Sequence, residues 1–174
     1  CLAAAFANLV APYDPLTLDY AQLLAPPSWS HPLGTDSYGR DVFSRIIYGA
    51  RTALAVGFLS SILGSTLGAI IGVASAYFGG RTDLVIQRIM DVLLSFPIIV
   101  LALTVVAVLG KNIILGIDIN LIIAIGVPMV PKVARVVRSS ALAIRELPYI
   151  DAARAAGFSH TRIIFRHIVP NVVA

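Results

Sequence analysis

Two stretches of the chain carry no charged side chain over nearly the thickness of a bilayer: residues 53–78, and residues 92–109 after Asp91. About 20 apolar residues in a helix cross the hydrocarbon core, so each stretch predicts a membrane span. A third apolar run, residues 121–130, is short. It reaches spanning length only if its helix continues through Lys132 and Arg135, with those side chains extending to the headgroups. Within the first span Ser60, Gly64, Gly68, Gly72, Ala76 and Gly80 recur every fourth residue, placing small side chains along one slowly drifting stripe of a helix. Such a stripe lets a neighbouring backbone come close. Gly64, Gly68 and Gly72 are therefore expected to pack helices within one subunit, with a subunit interface as the alternative.

The polar intervals are just as informative. Residues 11–51 turn to proline, aspartate and tyrosine ("APYDPLTLDYAQLLAPPSWSHPLGTDSYGRD"), too proline-rich for an inner strand and too aperiodic for a long helix, which predicts an ordered loop outside the membrane. Gly79, Gly80 and Arg81 make a tight connection, and residues 110–120 make another. Arg88 and Asp91 lie three apart on one helical face, so they are expected to form a structural ion pair; no second carboxylate lies deeper to continue a relay. Pro97, and then Pro128 and Pro131, remove backbone donors and predict kinks. These suit a pathway that opens and closes, but they are also ordinary in membrane helices. Lys132, Arg135 and Arg138 share one face and are expected to anchor in headgroups.

Composition agrees: 58% apolar and 13% charged residues exclude a soluble domain of 174 residues, which needs more charge to cover its surface. Of thirteen lysines and arginines, seven fall in residues 132–166. Positive segments stay in the cytoplasm, so this segment and the Arg81 turn are expected there, in a multi-pass membrane protein. The proline-rich loop then faces outward; its Arg40, Arg45 and Arg51 are offset by four aspartates and by its length. The one cysteine, Cys1, allows no disulfide within the chain. A lipid-modified cysteine is normally followed by a polar tether, whereas "LAAAFANLV" is apolar. The chain is therefore expected to be a fragment that begins partway through one membrane helix and ends within another.

Catalytic and metal chemistry find little support. Gly34 and Gly39 in "GTDSYGRD" have the spacing of a phosphate-binding loop, but Arg40 and Asp41 stand where lysine and a hydroxyl are needed. His160 and His167 are seven apart, too far for a helical metal pair, and His31 is remote. No catalytic, metal or cofactor residue is expected in this chain, and nothing points to nucleic acid.

One segment remains, "YIDAARAAGFSHTRIIFRHIVPN". Pro148 suits a first helical turn, Asp151 faces the positive end of the helix dipole, and the alanines at 152, 153, 155 and 156 favour helix with almost no bulk. Gly157 supplies the left-handed residue that ends a helix, and Ser159 can cap the next. The prediction is a two-turn helix at about residues 148–158, a sharp bend, and a second helix re-entering the membrane at Ile163. Its alanine face is too small to anchor in lipid and fits a groove of another protein.

"DAARAAG" followed by "HIVP" resembles the EAA motif of the permease subunits of bacterial ABC importers. Asp151 matches the motif's glutamate, Ala152 and Ala153 its alanines, Gly157 its glycine and Pro170 its proline; His167 and Val169 depart from its isoleucine and leucine. "HPLGTDSYGRDVFSRIIYGARTAL" and "DVLLSFPIIVLAL" resemble the second permease of dipeptide, oligopeptide and nickel importers. The resemblance implies an all-α, polytopic transmembrane bundle of the type I importer permease fold, here a fragment of a six-helix subunit. Residues 1–11 would end the first helix, residues 12–51 form the extracytoplasmic loop, and residues 52–174 form the permease core with its cytoplasmic coupling helix.

It also implies partners: a second homologous permease, two cytoplasmic ATP-binding subunits, an extracytoplasmic solute-binding protein and the lipid bilayer. ATP hydrolysis would belong to the partner chains, so this chain is expected to be non-catalytic. Peptides are the expected cargo, with nickel or another small solute as the alternative. An ion-gradient-driven secondary transporter is the competing class; it calls for mid-membrane carboxylates and an inverted repeat.

Overall fold

The computed structural model describes residues 2–114 and 116–173; Cys1, and with it the question of lipid modification, lies outside the described residues. The chain divides into two units, residues 1–58 and 59–174. The first begins with two short helices, α1 (Leu2–Ala5) and α2 (Ala7–Val10), separated at Phe6. Residues 11–41 then form a loop ordered by its aspartates. Asp36 accepts the backbone N–H groups of Tyr38 (2.8 Å) and Arg40 (3.1 Å) and the Arg40 Nε–H (2.9 Å), and it also pairs with Arg45. Gly34 and Gly39 flank this turn at φ of +73° and +74°. A Cβ at Gly34 would strike the Ala25 carbonyl, and one at Gly39 the backbone of Asp19. Glycine alone suits both the conformation and the space.

Asp41 closes the loop. Its Oδ2 accepts the Ser44 N–H at 2.7 Å and its Oδ1 meets His31 Nδ1 at 3.0 Å. A carboxylate that accepts from the third helical residue is an N-cap, and helix α3 (Val42–Phe78) starts at the next position. The look-alike of a phosphate loop is thus the device that starts a helix. Residues 42–51, expected as loop, are helical. At 1.5 Å per residue α3 is about 55 Å long against a hydrocarbon core of about 30 Å, so the helix outruns the membrane and charge does not mark its end.

In the second unit α3 ends at Phe78 and the chain turns through Gly79 (φ +62°) and Gly80 (φ +54°) into α4 (Gly80–Ser95). Phe96 is extended before Pro97, which lacks the N–H that would continue the ladder, and α5 (Ile98–Leu109) leaves at 95° to α4. The expected kink is therefore a break, and the second apolar stretch is a broken pair rather than one straight span. A two-residue antiparallel pair follows, β1 (Ile113–Ile114) with β2 (Ile117–Asp118). Asp118 then caps α6 (Ile119–Gly126) by accepting the N–H groups of Asn120 and Leu121. A 3₁₀ turn at Val127–Met129 takes up Pro128 and leads into α7 (Val130–Arg145). The path Ile119–Arg145 is long and apolar enough to cross a membrane, as is α3, and it runs through Lys132 and Arg135 as expected. Both prolines are absorbed without breaking it.

The small-residue stripe meets this third path. A Cβ on Gly64 would stand 2.7 Å from the Gly126 carbonyl, one on Gly68 2.7 Å from Val133 Cβ, and one on Gly72 2.5 Å from the Ala134 carbonyl. Gly126 answers from the other side, where an added Cβ would lie 3.2 Å from the Ser60 carbonyl. Ser60 and Ala76 are completely buried. The stripe therefore packs α3 on α6 and α7 within this chain, and Gly80, whose surroundings are open, takes no part. Large apolar side chains elsewhere face outward, Ile99 at 70% and Val108 at 78% exposure, as surfaces that meet lipid do.

Gly68→Val should force the two backbones apart at a cost of about 1–3 kcal/mol, whereas Gly57→Ala, with open space around it, should be neutral. Thermal unfolding of the two variants in detergent measures the difference. In the loop, burial disfavours the charged form of Asp36, but the Tyr38 and Arg40 amides and the Arg40 guanidinium outweigh it and hold the carboxyl at about 2, below its ordinary 3.8. A depressed carboxyl stabilises the fold above its unfolded value and loses that effect as pH falls through its folded value. Amide protection at Tyr38 and Arg40 should therefore persist above pH 3.8 and disappear between pH 3.8 and about 2 in hydrogen exchange.

Candidate functional site

Leu147 is extended (ψ 141°), as a residue before proline prefers, and Pro148 opens α8 (Pro148–Ala155) at a position whose N–H would have no helical partner. Asp151 lies in the first turn and pairs with Arg154 at 2.9 Å. At the far end the Phe158 N–H bonds to the Ala153 carbonyl (3.1 Å) and the Gly157 N–H to that of Arg154 (2.9 Å), the two bonds of a Schellman stop. Gly157 sits at φ +75° with open space around it, so its role is conformational rather than steric. Beyond the bend, Ser159 caps α9 (His160–Ile163) by accepting the Arg162 N–H. A π-helical turn, Ile164–Ile168, leads into α10 (Val169–Val173), which carries Pro170. The wide turn relieves the clash that Pro170 would make with the carbonyl four residues earlier.

This hairpin has two faces. Ile150 and Ala153 are buried, in one cluster with Val73, Ala76 and Tyr77 of α3, Ala141 of α7, and Ile163 and Ile168. Asp151, Ala152, Arg154, Ala155 and Ala156 are exposed. The residues singled out from sequence are thus divided: Asp151 and Ala152 lie on the outer face, Ala153 faces inward, and Gly157 makes the bend. Tyr77 meets His160 Nδ1 at 2.7 Å, and Arg162 lies over the Phe158 ring at 3.8 Å.

The expected pair of Arg88 and Asp91 is present at 3.9 Å, and Asp91 also accepts a hydrogen bond from Arg135, which the sequence did not reveal. Arg138 grips Asp83 with Nε at 2.6 Å and with its terminal nitrogen, while Ser75 donates to Asp83 and Gln87 donates to Ser75 at 3.1 Å. Arg135 and Arg138 therefore tie α7 to α4, Arg135 while remaining half-exposed. Arg145 donates to the Ala76 carbonyl at 2.8 Å and closes the C-terminal end of α3. Sequence reasoning missed Asp83. Its signal was available: acids at 83 and 91 and arginines at 138 and 135 pair in reverse order, as two antiparallel helices require. Among the described residues no group of three or more histidine, cysteine or acidic side chains is placed to hold a metal ion.

Apolar helices long enough to cross a bilayer, outward-facing apolar side chains and polar groups paired between helices define a multi-pass, all-α membrane protein. Residues 64–174 match the model of the binding-protein-dependent transport system inner membrane component family, and the chain belongs to that family. It is 42% identical over 173 residues to a putative peptide transport system permease protein of Brucella suis, covering 99% of this chain and 56% of that protein. It is 41% identical over 172 residues to the glutathione transport system permease protein GsiD of Pectobacterium atrosepticum, covering 98% and 56%. The dipeptide transport system permease protein DppC of Alkalihalophilus pseudofirmus is 41% identical over 173 residues, covering 99% and 55%. The chain thus spans little more than half the length of the curated relatives it matches.

Removing the Asp83 carboxylate leaves Arg138 half-enclosed without its partner. Asp83→Asn should cost about 1–3 kcal/mol, below the range for fully buried pairs because solvent reaches both groups, and the reciprocal exchange Asp83→Arg with Arg138→Asp should recover part of the loss. Thermal midpoints of the single and double variants in detergent give the coupling.

Proposed function

We propose that the chain is part of the permease subunit of an ATP-driven importer, and that α8 is the element through which a cytoplasmic ATPase moves it. The observation that carries this reading is the division of α8 into a buried face and an exposed one. Ile150 and Ala153 fasten it to α3, while Ala152, Ala155 and Ala156, beside the Asp151–Arg154 pair, present a small-residue and charged surface that lipid would not hold. A Schellman stop and a capped second helix keep that surface at one angle. Seven of the thirteen basic residues lie in residues 132–166, which favours the cytoplasm for α8 and the outer side for the loop of residues 11–41.

The remaining partners follow from the same reading: a second homologous permease to complete the pathway, two ATP-binding subunits and an extracytoplasmic solute-binding protein. ATP-driven closure of the ATPase pair displaces α8, and the displacement passes through its buried face into α3. The chain itself breaks no bond and binds no cofactor. Small peptides are the favoured cargo, since the relatives are named for peptide, dipeptide and glutathione transport. A gradient-driven carrier is less favoured because Asp83 and Asp91 are both engaged by arginines.

Ala152→Trp, on the exposed face, should stop the ATPase subunits from co-purifying with the full-length permease and abolish ATP-dependent uptake, with membrane insertion and thermal midpoint unchanged. Ala153→Trp, on the buried face, should instead lower the thermal midpoint. ATP-coupled uptake that survives Ala152→Trp would overturn the docking role.

A further inference from the structure

The exposed face of α8 explains where a partner would push, but not how the push reaches the membrane. Among the described residues, residues 148–173 meet α3 through an apolar cluster, through Arg154 over the Tyr77 ring at 5.9 Å, and through one side-chain hydrogen bond, between the Tyr77 hydroxyl and His160 Nδ1 at 2.7 Å. Apolar contact is non-directional and lets surfaces slide. A hydrogen bond has a direction and a length, so it fixes register. Tyr77 is 7% exposed and lies in the last turn of α3, and its ring meets His160 edge to face at 5.6 Å. His160 is the first residue of α9, directly after the Ser159 cap, and the Schellman bend joins it rigidly to α8.

We propose that Tyr77 and His160 are a positioning pair: their hydrogen bond locks the α8–α9 hairpin to the end of α3 so that the two move as one body. This rests on the docking role proposed for α8. The aromatic contacts fit a lever of this kind. Phe158, the residue after Gly157, stacks on His167 of the π-helical turn with planes 16° apart, and Arg162 covers its other environment at 3.8 Å. The bend is therefore braced on the side leading to α10, while Tyr77 braces it toward α3. Without the hydroxyl, the apolar cluster and the weaker ring contacts of Tyr77 with His160 and Arg154 still hold the hairpin in place, but no hydrogen bond of fixed length opposes a slip along α3.

The test uses the full-length permease assembled with its partner permease and ATPase subunits in proteoliposomes. Spin labels are placed on exposed Thr161 of α9, away from the docking face of α8, and on exposed Ile70 of α3, and their separation is measured by pulsed dipolar spectroscopy with and without ATP and vanadate. The unsubstituted pair should give one narrow distance that is the same in both states. Tyr77→Phe should raise a second, displaced population several-fold, the scale set by one half-buried hydrogen bond, with the fold retained. His160→Asn, with Tyr77 intact, keeps a hydrogen-bonding group at the Nδ1 position and should retain the single distance. A single distance in Tyr77→Phe in both states overturns the proposal. Loss of ATPase co-purification is read separately, on Ala152→Trp, so a failure of the docking role is distinguishable from a failure of this link.

Discussion

Close backbone contact between α3 and the α6–α7 path is the constraint on which the second unit depends. Lipid tails are as apolar as leucine, so burying apolar side chains between helices gains almost nothing over leaving them in the bilayer. What remains is dispersion between surfaces that fit, and it falls steeply with distance. Gly64, Gly68 and Gly72 bring the α3 backbone against the carbonyls of Gly126, Val130 and Ala134. Glycine lowers helix propensity in water by about 1 kcal/mol per residue, but in a span the backbone has no competing partner, so the cost of the stripe is small beside the packing it permits.

That contact also sets the positions of the charges. With α7 held against α3, the first turns of α4 lie beside α7, and Asp83 and Asp91 find Arg138 and Arg135. Each carboxylate would be expensive alone in an apolar setting and is tolerable here because a guanidinium meets it. Ser75 and Gln87 extend the Asp83 pair into a small polar clasp joining α3, α4 and α7 where α3 ends. Arg145 completes it by closing the last carbonyls of α3. On the positive face of α7, Arg135 and Arg138 reach across to carboxylates of α4, while Lys132 and Arg135 both remain exposed.

What could be read beforehand followed the range of the physics involved. The α8 helix, its stop at Gly157 and the cap at Ser159 were legible because caps and left-handed glycines act over three or four residues. The glycine stripe was legible because its period belongs to a helix whatever packs on it. The start of α3 was not: Arg45 and Arg51 looked like the end of a loop, and only the capping of Ser44 by Asp41 identifies the true boundary. The break at Pro97 was expected as a kink, because proline predicts a lost hydrogen bond but not the angle at which the next helix finds its support. Arg88 as a partner of Asp91 was legible because a neighbour three residues away is visible in sequence, whereas the second partner, Arg135, is close only after folding.

The two faces of α8 carry this reasoning to function. A helix of eight residues is too short to be stable alone, so its conformation is supplied by Ile150 and Ala153 in the α3 cluster and by its capped ends. In the docking role proposed for α8 the alanines have different tasks: Ala153 is small so that α8 can lie close to α3, and Ala152 leaves room on the exposed face for a partner's surface. The economy of side-chain volume that packs α3 within the apolar layer thus continues beyond the end of α3.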